Sequence, residues 1–505
     1  MTDDATGTLS RTVASVCTQL RPKLTGVTAL EVDAVTRRLY GPLQLAVAGR
    51  IKSGKSTVVN ALLGRRVAPT DVRECTRIVT RFQYGTVDRV ELVRRNGNRV
   101  TLPYDGEGLV PVDLGVETSD IAYIDAFLTS AALREVTVID TPGLGSLDTA
   151  SSQRTRELLG AEGLDTDSQV AIEQADAVLF VLTQAARADD VDALAMFHTA
   201  STPRSSSPIN AVAILNKADQ IVGHGAGGTG PGGVGTGDMQ AAQDLAKAQA
   251  HTLRHRVADV LPLIGLLAEA TETGIFTEAD ADALRRISAL DAASRTLLFY
   301  SADLFVRPEI PIPVSARARL LERLDLFGIG RAVELLDGHP TMSTGELRRQ
   351  LVEGSGFPAL RGVVESVFRK QADGIKANVA IAALESLAGR ADPPDRMHVE
   401  DALEELLQRP EAHQLRVLEA ASLVTSGTVE MPEELAREVA ALVLGSTPAQ
   451  RLGLAGGTPA QLAEVALEAA GRWRSFATFG STPAQSRIAH VIHRAYFLLW
   501  QELKG

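Results

Sequence analysis

Apolar residues follow two different rhythms along this chain of 505 residues. Between residues 43 and 310, short runs rich in Val, Ile, Leu and Ala alternate with segments whose apolar residues have helical spacing. This alternation predicts an α/β head, with a mostly parallel sheet covered by helices on both faces. From about residue 315 onward only the helical spacing remains, which predicts an elongated all-α helical bundle.

The predicted strands are short and rich in β-branched residues. Asn96-Gly97 is a strong turn signal and predicts a hairpin between the third and fourth of them. The predicted strands are residues 43–48, 78–84, 89–94, 99–103, 134–140, 176–182, 209–215 and 257–264.

Helical spacing also precedes the first strand, over residues 9–40 with a break near Gly26. Residues 357–387 predict one long helix of about 45 Å. The tetrapeptide Thr-Pro-Ala-Gln begins at Thr447, Thr458 and Thr482, and each copy predicts a helix start with a capping Thr and a Gln that reaches back. The remaining predicted helices lie near residues 396–408, 411–424, 432–444, 459–475 and 483–502.

Composition narrows the class of protein. The net charge of −11 argues against a dedicated nucleic-acid binder, whose footprint is basic. Two cysteines are too few for a disulfide framework, and the polar, acidic start MTDDATGT is unlike a secretory signal, so we expect a cytoplasmic protein. No apolar run reaches the roughly 18 residues of a membrane span, so any membrane contact would be peripheral.

A phosphate-binding loop follows the first predicted strand. The sequence GRIKSGKS fits G-x-x-x-x-G-K-[ST] and leads directly into a helical run, the context that such a loop requires. Its glycines let backbone N–H groups approach a polyphosphate at a helix N-terminus. Lys55 would reach the β- and γ-phosphates, and the Ser56 hydroxyl would ligate Mg²⁺. The predicted nucleotide-binding residues of this loop are Gly49, Ser53, Gly54, Lys55, Ser56 and Thr57.

Two further motifs end predicted strands. Asp140-Thr141-Pro142-Gly143 fits D-x-x-G, in which Asp140 would hold Mg²⁺ through a water and the Gly143 amide would sense the γ-phosphate. Asn216-Lys217-Ala218-Asp219 fits N-K-x-D. Asp219 would accept hydrogen bonds from guanine N1–H and N2–H₂, which adenine cannot offer in that pattern, so the expected ligand is GTP. Lys217 would lie along the face of the base, and Asn216 would brace the loop; the alternative for Asn216 is a cap before a surface loop.

The catalytic groups are less sharply defined. Thr76 lies where the first switch is expected and would complete the Mg²⁺ shell, with Thr70 and Thr80 as alternatives. Lys52 is either a solvated loop lysine or a catalytic cation that neutralises charge developing between the β- and γ-phosphates. Leu144 follows the D-x-x-G motif, so no Gln is present there to orient the attacking water.

With these motifs in place, the chain resembles the bacterial dynamin-like GTPases. The resemblance is carried by GRIKSGKSTVVNALLG, APTDVRECTRIVTRFQYG, VIDTPGLGSL, LLERLDLFGI and SGFPALRGVVESVFRKQAD. It implies three parts: an N-terminal helical segment, 1–41, that packs with the neck; a GTPase domain, 42–312; and a helical neck and trunk, 313–505.

The family resemblance also implies an activity. Such proteins bind and hydrolyse GTP with Mg²⁺, contact one another through their heads, and tether, bend or fuse membranes. For this chain it implies a membrane lipid surface at the inner face of the cell membrane, and self-association or a sister protein, as partners. Two departures stand out: Lys52 replaces a small polar residue that helps to hold a monovalent cation, and Ile264-Gly265 offers no assignable base contact.

Two other functions remain open at this point. One is a nucleotide-gated scaffold that binds GTP, turns over little and recruits a partner, which Leu144 favours. The other is an assembly-factor GTPase that acts on a ribonucleoprotein, which would require a basic RNA-binding module. The C-terminal part of this chain is instead a helical bundle of acidic to neutral character.

Overall fold

One mixed, mostly parallel sheet forms the centre of the head. A computed structural model describes residues 7–69, 78–142, 175–187, 190–191, 194, 210–221, 239–254, 256–369, 372–408, 413–425, 427, 429–479 and 481–504. Within these residues nine strands form the sheet in the order β4-β3-β5-β2-β6-β1-β7-β8-β9. The α/β head predicted from the sequence is therefore confirmed.

The strands have the following bounds: β1 (Leu43–Gly49), β2 (Thr80–Tyr84), β3 (Arg89–Arg94), β4 (Arg99–Leu102), β5 (Ile121–Leu128), β6 (Val136–Asp140), β7 (Ala177–Leu182), β8 (Ala211–Asn216) and β9 (Val260–Leu263).

The α-helices in the described part of the chain are α1 (Thr8–Leu20), α2 (Gly26–Tyr40), α3 (Lys55–Leu63), α4 (Met239–Thr252), α5 (Gly265–Glu272), α6 (Glu278–Ser288), α7 (Ala292–Leu298), α8 (Ala302–Val306), α9 (Val314–Gly338), α10 (Thr344–Gly354), α11 (Phe357–Val363), α12 (Ala372–Arg390), α13 (Pro393–Gln408), α14 (His413–Thr425), α15 (Glu433–Leu444), α16 (Pro448–Arg451), α17 (Pro459–Thr478) and α18 (Pro483–Lys504).

Strand β1 lies between β6 and β7 and is parallel to both. Its side chains alternate between two buried layers: Leu45 and Val47 join the apolar core on one face, whereas Ala46 and Ala48 join the core on the other. Burial on both faces is what the continuous apolar run predicts. The strand therefore places its C-terminal residue, Gly49, in the interior of the sheet.

Strand β5 is the strand that the sequence pattern did not predict. It pairs parallel to β2 and antiparallel to β3. An acidic residue, Asp125, interrupts its apolar run and is 2% exposed. Arg81 Nε and Gln83 Nε2 of β2 donate to Asp125 at 2.8 and 2.6 Å. The buried carboxylate is thus matched by a neighbouring strand that lies more than 40 residues earlier in the sequence.

The N-terminal helices pack against α12, a helix that follows the head. Leu9, Val13 and Leu20 of the first helix share a buried cluster with Leu384 of α12. Asp373 caps α1, since its carboxylate accepts from the backbone N–H groups of Leu9 and Ser10 at 2.9 and 2.8 Å. Residues 8–40 are thereby held by helices that follow the head.

Helices α9 and α10 extend the apolar core of the head. Leu320 and Leu324 of α9 and Leu347 of α10 share a buried cluster with Leu267 of α5. Helices from both sides of residue 312 therefore pack together, and the division of the chain at 312/313 stays a prediction.

The single long helix predicted over residues 357–387 is wrong in its continuity. Helix α11 ends at Val363, and Val364–Arg369 forms a wider π-helical turn before α12 begins at Ala372. Phe368 is fully buried in the core of the head, and Arg369 donates to Glu135 Oε2 at 2.9 and 2.6 Å. The wider turn brings both side chains to the head.

The C-terminal helices form the predicted bundle. Helices α14, α15, α17 and α18 share a core around Trp473 and Tyr496. All three Thr-Pro-Ala-Gln copies start helices as predicted: each Thr hydroxyl accepts from the Gln backbone N–H, and each Gln side chain accepts from the Thr backbone N–H. Among the described residues, no helix is both long and apolar enough to cross a membrane.

One imidazole nitrogen is buried in the bundle. His413, the first residue of α14, is 7% exposed, and its Nε2 has no hydrogen-bond partner among the described residues. Burial, with the charges of Arg494 and Arg416, lowers the pKa of His413 from 6.5 to about 4. As the pH falls, the unfolded chain binds this proton at a higher pH than the folded chain does. The contribution of neutral His413 to the free energy of unfolding is therefore fully present above pH 6.5 and is lost as the pH falls towards 4.

We therefore expect acidification from pH 7 to pH 5 to cost about 2 kcal/mol of unfolding free energy through this side chain. Urea unfolding of the wild type and of His413→Gln at both pH values measures this loss. The variant should lack it, because Gln does not bind a proton in this pH range. Exposed His490→Gln is the matched control. An equal acid-induced loss in His413→Gln and in the wild type would contradict the assignment.

Candidate functional site

The phosphate loop joins β1 to α3. Gly49 is the last residue of the strand, and Lys55 is the first residue of the helix. Gly54 has φ +88°, a conformation that side chains rarely adopt, and a Cβ there would collide with Asn216 Nδ2. A glycine is therefore needed at this position for the loop to close against the neighbouring strand end.

Lys55 is held by the loop itself. Its Nζ donates to the carbonyl oxygens of Gly49 and Arg50 at 3.1 and 2.9 Å, and the residue is 8% exposed. Burial lowers the pKa of the Lys55 ammonium, and the charge of Asp140 partly opposes that shift. An anion beside this ammonium would restore the charged form that burial disfavours.

Asp140 ends β6 and lies beside β1, opposite Val47. Ser56 Oγ, in the first turn of α3, donates to Asp140 Oδ2 at 3.0 Å. Burial raises the pKa of Asp140 to about 6, against the lowering effects of Lys55 and Ser56. Asp140 Oδ1 is buried and has no hydrogen-bond partner among the described residues. A buried carboxylate with a spare oxygen beside a hydroxyl is the donor set that suits Mg²⁺.

Asn216 ends β8 and links the phosphate loop to the opposite side of the site. Its Nδ2 donates to Ser53 O at 2.8 Å, and its Oδ1 accepts from the backbone N–H of Gly265 at 2.9 Å. Asn216 is 2% exposed, so both polar atoms of the amide are satisfied inside the protein. The predicted bracing role thus has two identified contacts, one of them to the first residue of α5.

Lys217 and Asp219 follow at the turn after β8. Lys217 has φ +58°, and Ala218–Gln220 forms a short 3-10 turn that contains Asp219. Burial is the main cause of a raised pKa at Asp219. The turn therefore presents a partly buried carboxylate next to the strand end that holds the phosphate loop.

The other predicted residues differ in how far the structure places them. Gly143, Thr76 and the alternative Thr70 lie outside the described residues. Thr80 lies opposite Asp140 in the β2–β6 pairing and is buried. Lys52 is exposed in the phosphate loop with φ +64°. Ser53 lies in the phosphate loop, and Thr57 lies in the first turn of α3.

Two residues of this region were not predicted. Asn60, on α3, donates to Ala68 O at 2.9 Å and to Glu269 Oε1 at 2.7 Å. Its Oδ1 accepts from the N–H groups of Val67 and Ala68 at 3.0 and 2.8 Å. Glu269 is 2% exposed, and burial raises its pKa. Asn60 therefore fixes the chain just before residues 70–77; its signal was a lone polar residue in the apolar run VVNALL.

These features define a phosphate-loop nucleotide site on a mostly parallel sheet, and comparison with known proteins identifies the family. Residues 45–218 match the model of the Dynamin family. The chain belongs to this family and is a bacterial dynamin-like GTPase by relationship. It is 32% identical over 453 residues to the isoniazid-induced protein IniC of Mycobacterium tuberculosis. This alignment covers 88% of this chain and 87% of that protein.

Other similarities cover the chain differently. A bacterial dynamin-like protein of Nostoc punctiforme is 40% identical over 57 residues, which is 11% of this chain and 8% of that protein. The solved structure of an oligomerised bacterial dynamin pair covers 97% of this chain and 90% of that chain, at 11% identity and a TM-score of 0.33.

Asn60→Ala should destabilise the head. The change leaves two buried N–H groups, one carbonyl and the Glu269 carboxyl without this partner, so we expect a loss of about 3 kcal/mol. Urea unfolding monitored by far-UV circular dichroism measures this loss of unfolding free energy. Asn98→Ala, in the exposed β3–β4 turn, is the control and should change stability by less than about 0.5 kcal/mol. Equal midpoints for the two variants would show that the Asn60 contacts contribute nothing.

Proposed function

We propose that this chain binds GTP with Mg²⁺, hydrolyses it, and couples the cycle to head-to-head association and to membrane remodelling or maintenance. The observation that carries the proposal is the Asn216 amide, which joins the phosphate loop at Ser53 to the start of α5 at Gly265. The two predicted halves of a guanine nucleotide site thereby lie next to each other. A chance phosphate-loop match would not bring the N-K-x-D turn to the same place.

Each residue would act on one part of the nucleotide. Backbone N–H groups of the loop and the Lys55 ammonium would bind the β- and γ-phosphates. Asp219 would accept from the Watson–Crick edge of guanine, with Lys217 along the base. Ser56 directly, and Asp140 through a water, would hold Mg²⁺, with Thr76 completing the shell. Mg²⁺, when bound, would neutralise charge on the phosphate oxygens.

Membership of the dynamin family supports the second half of the proposal. We place the protein in the cytoplasm and at the inner face of the cell membrane, with a lipid surface and a second copy or a sister protein as partners. Helix α1, which precedes the head, packs on α12, which follows it, and α9 and α10 pack on the head. A change in the head would therefore be passed directly to the helical part.

A second candidate is a nucleotide-gated scaffold that binds GTP with little turnover. One observation favours it: Leu144, rather than Gln, follows the D-x-x-G motif. Hydrolysis would then require backbone groups or another side chain to orient the water.

Turnover and lipid binding distinguish these functions. We expect the purified chain to hydrolyse GTP with Mg²⁺, to turn over faster on anionic liposomes and to pellet with them. Lys55→Ala should lose turnover by at least about a hundredfold, since it removes the phosphate-binding ammonium. Binding without turnover would support the scaffold, stimulation by RNA would support an assembly factor, and the absence of all three would contradict a GTPase function.

Lys52 tests how charge is neutralised during hydrolysis. If its ammonium stands in for a monovalent cation between the β- and γ-phosphates, turnover should be the same in potassium and in sodium. Lys52→Ala should then lower kcat by about 10²-fold, the usual effect of removing a transition-state electrostatic group. Exposed Lys23→Ala serves as the charge-matched control. An unchanged kcat in Lys52→Ala would make Lys52 a solvated loop lysine.

A further inference from the structure

Helix α9 contains a break at Asp325. This residue has φ +55° and ψ 174°, a combination adopted almost only by glycine. Its side chain is turned out to solvent, and its Oδ1 accepts from the backbone N–H of Leu326 at 2.7 Å, where the second half of the helix begins. Strained backbone of this kind persists where surrounding contacts impose it, and it concentrates at ligand sites.

The strain is imposed from both sides of the break. Arg319 Nε and Arg323 Nη1 donate to the fully buried Asp280 carboxylate at 2.8 and 2.6 Å, which fixes the first half of α9 on α6. Leu324 and Leu326, on either side of Asp325, are both buried. The position of the Asp325 carboxylate is therefore set by the head and does not result from a loose loop.

The break lies beside the base half of the nucleotide site. Leu324 and Leu326 share one buried cluster with Ala218, which precedes Asp219. After the break, α9 packs on α5: a Cβ at Gly328 would lie 3.3 Å from Leu267 Cδ1. Burial is the main cause of the raised pKa of Asp219, and the negative charge of Asp325 adds to it. The Asp325 carboxylate therefore lies within electrostatic range of Asp219.

We propose that Asp325 is a second guanine-recognising carboxylate, which accepts from the exocyclic 2-amino group of the base. The inference rests on the proposed guanine nucleotide site. Asp219 can accept N1–H and one N–H of the 2-amino group, which leaves the second amino N–H for another acceptor. Hypoxanthine has N1–H and lacks the 2-amino group. Asp325 thus adds to the discrimination between a guanine nucleotide and its inosine counterpart, to which Asp219 can still bond through N1–H alone.

Calorimetric titration of the full chain with GDP and with IDP, both with Mg²⁺, tests this role. Asp325→Gly removes the carboxylate and suits the backbone conformation, so its melting temperature should not fall below that of the wild type by more than a few degrees. We expect its affinity for GDP to fall about tenfold, the effect of losing one hydrogen bond to a charged group, with its affinity for IDP unchanged. Asp325→Asn should show a smaller fall in the same direction, because an amide oxygen accepts more weakly.

The control is Glu334→Gln, which removes a charge further along the same helix, where Glu334 pairs with Arg331. It should leave both affinities unchanged. If Asp325→Gly lowers the affinities for GDP and IDP equally, or lowers neither, Asp325 only starts the second half of α9. The inference then fails, while the guanine nucleotide site stands. If the wild-type chain binds neither diphosphate, the proposed function fails and the inference fails with it.

Discussion

The candidate site depends on one buried amide. Asn216 gives its N–H to the phosphate loop at Ser53 and takes an N–H from Gly265 at the start of α5. A side chain of another type would leave one of these backbone groups unpaired inside the protein, at a cost of the order of 1–3 kcal/mol. The same amide occupies the space that a Cβ at Gly54 would need, so the glycine of the loop and the asparagine of the distant strand require each other.

The polar groups around this contact are held in an electrostatically unfavourable state. Burial lowers the pKa of Lys55 and raises that of Asp140, so the surroundings disfavour the charged form of each. A polyphosphate beside Lys55 and a divalent cation beside Asp140 would reverse both effects. The binding of a nucleotide with its metal would therefore stabilise the head, and its loss would return two buried charges to an unfavourable environment.

Much of this arrangement could be predicted from local sequence. The strand, the glycine loop and the helix are consecutive, and each predicted motif ends a strand of a parallel sheet, so their approach follows from topology. The pairing of Asn60 with Glu269 spans 209 residues, and no short pattern announces it. Strand β5 was not predicted because the charged Asp125 interrupts its apolar pattern, and the pattern does not show that Arg81 of another strand pairs with it. The break at Asp325 could not be predicted either, since an Asp between two leucines is typical of an exposed position within a continuous helix.

Nucleotide affinity in the Asn216 variant is the most direct test of the central claim. Isothermal titration calorimetry of the purified wild type with Mg²⁺ should show tight binding of a non-hydrolysable GTP analogue and no comparable binding of the ATP analogue. In Asn216→Ala the affinity for the GTP analogue should fall by at least about a hundredfold, because both halves of the site lose their common support. A folded Asn216→Ala protein that binds the GTP analogue as tightly as the wild type does, or a wild type that binds the ATP analogue equally well, would contradict the account.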